Sequence, residues 1–124
     1  MEHISEAIDR ILRDLEKEGF WVKELSQRPL SGSLLSTNIC NFIVGDSKSG
    51  HSIILTIINS RVGLNVVIPL LSRGLYMARK TLLLVEEIDK EAERMLTRVG
   101  NFFIIRWRDC KDNIKELIKE FLRS

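Results

Sequence analysis

Apolar side chains recur at three- and four-residue steps through the first part of the chain. Ile4, Ala7, Ile8, Ile11, Leu12 and Leu15 form one stripe, with charged residues between them. That spacing predicts an amphipathic helix over about residues 3–19, ended by Gly19. Phe20 to Leu25 then reads as a short strand, and Gln27 to Thr37, with Pro29, Gly32 and several serines, as a loop. Asn38 to Gly45 predicts a second strand, residues 46–50 a turn, and Ser52 to Asn59 a third strand that completes a hairpin. The unbroken apolar run within Ser52 to Asn59 is the pattern of a strand buried on both faces.

Further on, a helix is expected over about residues 66–80, with Pro69 in its first turn, where a missing N–H is tolerated. Thr81 to Glu87 is a fourth strand. Asp89 can cap a third helix with Ala92, Met95, Leu96 and Val99 on its inner face, closed by Gly100. Asn101 to Trp107 is a last strand. A final helix is expected to open at Asp109 or Cys110, burying Ile114, Leu117, Ile118, Phe121 and Leu122. The order αβββαβαβα describes one α/β domain over residues 1–124, a mixed central sheet flanked by helices on both faces. The three early strands pair antiparallel, and the later strand–helix–strand steps form parallel crossovers.

Composition narrows the classes. The chain of 124 residues is 44% apolar and 29% charged, which fits a globular domain and not a disordered one. No apolar run approaches the roughly 20 residues of a membrane span, and Met1 to Glu6 do not read as a signal peptide. A cytoplasmic protein with no membrane partner is expected. Cys40 and Cys110 are far apart and read as buried thiols. His3, Cys40, His51 and Cys110 lack the spacing of a zinc site, so neither a metal nor another cofactor is expected.

The formal net charge is only +2, but it is unevenly placed. Ser47 to Val85 contains no acid, while Lys48, Arg61, Arg73, Arg79 and Lys80 all fall there. An acid-free basic stretch suits contact with phosphates and equally a solvated positive face. Gly45 to His51 lacks the Lys-Ser/Thr that a phosphate loop requires after its second glycine, so it reads as a turn. His51 has no nucleophile or orienting acid near it in sequence. Trp21, Phe103 and Trp107 could stack on bases, but on strands they read as core.

Four pieces of sequence resemble the restriction-endonuclease-like nucleases, the PD-(D/E)XK group, and within it the archaeal Holliday-junction resolvases. Glu6 sits on a first helix ending in Glu18-Gly19-Phe20. Ser31-Gly32-Ser33 looks like the serine- and glycine-bearing loop of those resolvases. Cys40-Asn41-Phe42-Ile43-Val44-Gly45 stands where the group has Pro-Asp and an apolar strand. Ser52 to Ser60 stands where it has a strand ending in Glu-X-Lys-Ser. The resemblance implies an Asp and a Glu holding a divalent ion, and a Lys positioning the attacking water.

This chain departs at those positions. Asn41 replaces the Asp. The Glu falls on Thr56 or Ile57 and the Lys on Ile58 or Asn59, depending on a one-residue gap. Glu6 alone is retained. The expected function is therefore a catalytically inactive resolvase-like protein, not an enzyme. It would bind branched or duplex DNA through phosphate contacts from Lys48, Arg61, Arg73, Arg79 and Lys80, with Ser31, Gly32 and Ser33 assisting. A homodimer is expected, because resolvases of this type are dimers and Leu70, Leu71, Leu75, Tyr76 and Met77 cover too much of one helix for a single buried stripe. Two alternatives remain. One is an interaction subunit partnering an active nuclease. The other is an active metal-dependent nuclease with a relocated site built on Glu6, Asp46 or Glu24.

Overall fold

The computed structural model describes residues 4–25, 39–71, 80–99 and 101–123. Helix α1 spans Ile4–Lys17, with Glu6 in its first turn and Lys17 in its last, both matched to the helix dipole. Gly19 stops it in a left-handed conformation, φ 99°, that a side chain would oppose. The chain reverses there into β1 (Phe20–Glu24), followed by β2 (Ile39–Asp46) and β3 (Ser52–Val62). The remaining elements are α2 (Leu64–Leu71), β4 (Thr81–Ile88), α3 (Lys90–Val99), β5 (Phe102–Arg106), α4 (Trp107–Cys110) and α5 (Ile114–Arg123).

The five strands lie in the order β1-β2-β3-β4-β5. β1–β2 and β2–β3 are antiparallel, and β3–β4 and β4–β5 are parallel, as the alternation of hairpin and helical crossover predicts. α1, α4 and α5 supply one core through Ile8, Leu12, Leu15, Cys110, Ile114, Ile118 and Leu122, packed on Ile53, Leu55, Ile57, Leu82 and Leu84. α2 and α3 supply the other through Val66, Val67, Ala92 and Leu96, packed on Ile54, Ile58, Leu83 and Val85. The unbroken apolar run of β3 is thus divided between two cores, one residue to each in turn. Each such fully buried side chain contributes about 1.5–3 kcal/mol. Among the described residues, no helix is long and apolar enough to cross a membrane.

Several boundaries differ from the sequence expectation, and β3 runs to Val62, three residues past Asn59. α2 opens at Leu64, because the Gly63 carbonyl accepts from the N–H groups of both Val66 and Val67. Pro69 therefore falls in the second turn, not the first. The C-terminal helix is broken into α4 and α5 by a turn at residues 111–113, where the Asn113 N–H bonds to the Cys110 carbonyl. On α3, Ala92 and Leu96 are buried as expected, but Met95 and Val99 lie at the edge of the contact and are more than a third exposed. Trp107 opens α4 instead of ending β5, and packs half-buried against the α1/α5 core. Leu71 packs partly buried against the α2/α3 core. The rest of the expected second helix, with Leu75, Tyr76 and Met77, lies outside the described residues.

Candidate nucleic-acid interface

Side chains alternate across a strand, so the hairpin β2–β3 presents two different sets of residues. Phe42 and Val44 enter the α1/α5 core together with Ile53, Leu55 and Ile57. Asn41 and Thr56 face the other way and stand directly opposite each other. The Thr56 hydroxyl donates to Asn41 Oδ1 at 2.8 Å, and both residues are buried, at 0% and 2% exposure. This is a neutral bond between an alcohol and an amide, formed where a metal site would need anionic oxygens.

The other aligned positions are divided. Ile57 lies under α1 with Cys40 as its cross-strand partner, while Ile58 is fully buried in the α2/α3 core. Asn59 and Glu6 are exposed. The residue aligned with the Asp therefore projects to the opposite side of the sheet from Ile57. Among the described residues, no three His, Cys, Asp or Glu side chains are grouped as a divalent ion would require.

A cleft of about 310 Å³ opens between α1, β1 and β2, lined by Asp9, Arg13, Glu16 and Glu24 over an apolar floor of Leu12, Val22 and Phe42. Cys40 is half-buried nearby. Burial pushes its thiol up, and the charges of Glu24 and Asp9 push it further, which disfavours a thiolate nucleophile. Asp46 sits at the far end of β2, paired with Phe20, whereas Glu24 pairs with Phe42. Four strand residues, about 13 Å, separate the two acids. Asp46 serves the turn instead, accepting from the Lys48 N–H at 3.0 Å.

The expected phosphate contacts separate as well. Lys48 lies in the β2–β3 turn and Lys80 just before β4, both at the end of the sheet where β3 begins. Arg61 lies at the other end of β3, and its guanidinium grips Asp89 at 2.6 Å. Ser31, Gly32, Ser33, Arg73 and Arg79 lie outside the described residues. At the same end as Arg61, Glu87 accepts from Arg106 Nε at 2.8 Å and pairs with Arg108 at 3.6 Å. The hydrogen bond from Arg106 is the main reason the Glu87 carboxyl sits below its ordinary pKa. The charge of Glu18 is likewise clasped by Lys115 and Lys119, whose hydrogen bonds lower its pKa. Many arginines and lysines are therefore committed internally, which the sequence could not show because their partners lie far away along the chain.

His51 is exposed, and its Nδ1 donates to the Leu122 carbonyl at 3.0 Å, so the imidazole fastens the end of α5. Trp21 is 42% exposed, and its indole lies flat over Gly45, its cross-strand partner. A methyl group at Gly45 would stand 2.1 Å from the ring. Phe103, 40% exposed, meets Phe121 at a centroid distance of 4.7 Å. These two aromatics are less buried than a core reading predicts.

No family model and no curated protein matches the chain. Among solved structures, EndoMS in its apo form superposes with a TM-score of 0.51 at 21% identity, over 86% of this chain and 47% of EndoMS. An EndoMS complex with double-stranded DNA gives 0.47 at 21% identity, covering 84% and 44% of the two chains. The MspJI restriction endonuclease in complex with a 27-mer oligonucleotide gives 0.41 at 11% identity, covering 95% and 28%. The chain spans less than half the length of each. With its mixed five-stranded sheet and helices on both faces, it has the restriction-endonuclease-like fold.

Proposed function

We propose that the chain is a nuclease-fold protein without hydrolytic activity that binds duplex or branched DNA through phosphate contacts, as a cytoplasmic homodimer. The observation that carries the reading is the Asn41–Thr56 pair. A neutral amide and hydroxyl, joined by a hydrogen bond, occupy the hairpin where the resemblance places a carboxylate. Without anionic oxygens a hard divalent ion is not held, no bound water is activated, and the charge of a pentacoordinate phosphate goes unstabilised. What the fold then supplies is a surface. Lys48 and Lys80 both lie at the end of the sheet where β3 begins.

Binding to four-way and linear DNA at low salt tests the reading, followed by a salt titration in which affinity falls steeply. Absence of binding at low salt overturns it. Incubation with branched DNA and magnesium or manganese tests inactivity. Cleavage that disappears in Glu6→Gln or Glu24→Gln would instead support the relocated nuclease.

A second reading, an interaction subunit for an active nuclease, is favoured by one observation. Arg61 lies away from Lys48 and Lys80 and is neutralised by Asp89. Co-purification from the native source with a nuclease, without affinity for DNA, would select it.

A further inference from the structure

α3 carries a row of cations that the reading above does not use. Lys90, Arg94 and Arg98 follow one another at four-residue steps. At about 100° per residue they occupy one narrow strip of the helix, turned directly away from the buried residues Ala92 and Leu96. All three side chains are exposed, and they line an open groove of about 470 Å³ together with Glu93 and Thr97.

The row differs in kind from the other arginines at this end of the molecule. Arg61 is held by Asp89, and Arg106 and Arg108 by Glu87. Among the described residues, Lys90, Arg94 and Arg98 have no ion pair with any acid. Glu93, half-buried, is the one acid lining the groove, and its charge adds to the hold that Glu87 has on Arg106. Thr97 turns its hydroxyl inward, donating to the Glu93 carbonyl at 2.7 Å. The groove thus presents three positive charges against one carboxylate, the cations at intervals of about 6 Å, the rise of four helical residues, over about 12 Å.

We infer that this strip of α3 is a contact surface for the phosphate backbone of duplex DNA, on the side of the sheet opposite α1. A rigid line of cations matches a ligand whose charges also repeat along a line. Each strand of a duplex offers one phosphate per 3.4 Å of axis, so the row spans three or four of them. The two guanidinium groups can grip phosphate oxygens in pairs, and the lysine acts as a point charge. Contact by backbone alone gives affinity without base reading. The inference rests on the DNA-binding reading above but assigns the contact to residues outside it.

The test compares the wild-type chain, the triple variant Lys90→Gln, Arg94→Gln, Arg98→Gln, and Lys48→Gln on a fluorescent random-sequence duplex across a salt series. Glutamine keeps the helix propensity of these exposed positions, and circular dichroism verifies the fold. The triple variant is expected to lower the slope of log affinity against log salt by about 2.7, from three phosphates at 0.9 each. Lys48→Gln lowers it by about 0.9 or less. Wild-type binding whose slope and affinity survive the triple substitution overturns the inference and leaves DNA binding standing. A wild-type chain that ignores duplex DNA overturns both, and capture of polyglutamate in its place would assign the row to an acidic protein.

Discussion

Replacing Asn41 by Asp introduces a carboxylate at a buried position of the β2–β3 hairpin. The structure predicts that this costs stability and gains no metal. Asn41 is 2% exposed, and its Oδ1 receives the Thr56 hydroxyl. Burial at such a site raises a carboxyl pKa by up to about 3–5 units, equivalent to about 4–7 kcal/mol. A charge-assisted bond from Thr56 offsets about 1.5–3 kcal/mol of that, leaving a net penalty of about 2–5 kcal/mol, a large share of a typical domain's stability. The folded-state pKa would lie above the unfolded value of about 3.9, so the folded protein binds more protons between the two values. The penalty is absent near pH 4 and complete once pH exceeds the folded-state pKa. Urea unfolding of wild type and variant at pH 4 and pH 8 measures it. The two proteins should agree within about 1 kcal/mol at the lower pH and separate by about 2–5 kcal/mol at the higher. Equal stability at pH 8 would refute the burial argument. A melting temperature that climbs with millimolar magnesium or manganese in the variant alone would show an ion gripped there.

Glu18 is held below its ordinary pKa by Lys115 and Lys119, so its contribution is present above the unfolded carboxyl pKa and is lost as pH falls through the folded one. Glu18→Gln should therefore lower the melting temperature at neutral pH, and the difference should vanish in acid. Gly45→Ala places a methyl group in the Trp21 ring, which is free to swing outward. A red-shifted tryptophan emission and a loss of about 1–2 kcal/mol are expected, and an unchanged spectrum would count against the stacked geometry. Cys110 is 1% exposed and its thiol is pushed up to about 11, by burial first and then by Asp109. It should resist a thiol reagent at pH 8 until the protein is unfolded, whereas Cys40 should react slowly.

Much of the fold is legible from periodicity. The apolar stripe of α1 and the unbroken run of β3 differ in step, and each step belongs to one geometry. The breaks were harder to read. α2 begins two residues before the apolar stripe suggests because a carbonyl, at Gly63, caps it. The turn that divides α4 from α5 has no proline or glycine to mark it. The placement of the candidate site residues was not legible. That Asn41 and Ile57 project to different sides follows from cross-strand register, which a gapped comparison does not fix. The commitment of Arg61 to Asp89 and of Arg106 to Glu87 depends on contacts 28 and 19 residues apart. The four-residue repeat Lys90, Arg94, Arg98 is not singled out by the sequence reading, because its lack of ion pairs among the described residues shows only in three dimensions.

Between Ile58 and Arg61, β3 advances three residues while β4 advances from Val85 to Glu87. That surplus residue is a bulge, and it shifts the pairing of the strand's end against β4 by one residue. Beyond it Val62 enters the same α2/α3 core as Ile58, while Arg61 reaches out to Asp89 at the head of α3. Deleting either Asn59 or Ser60 would re-phase the tail of the strand, turning Val62 out of the α2/α3 core and parting Arg61 from its acid. One residue of slack in the chain thus decides whether the last strand of the hairpin and the helix beyond it stay joined.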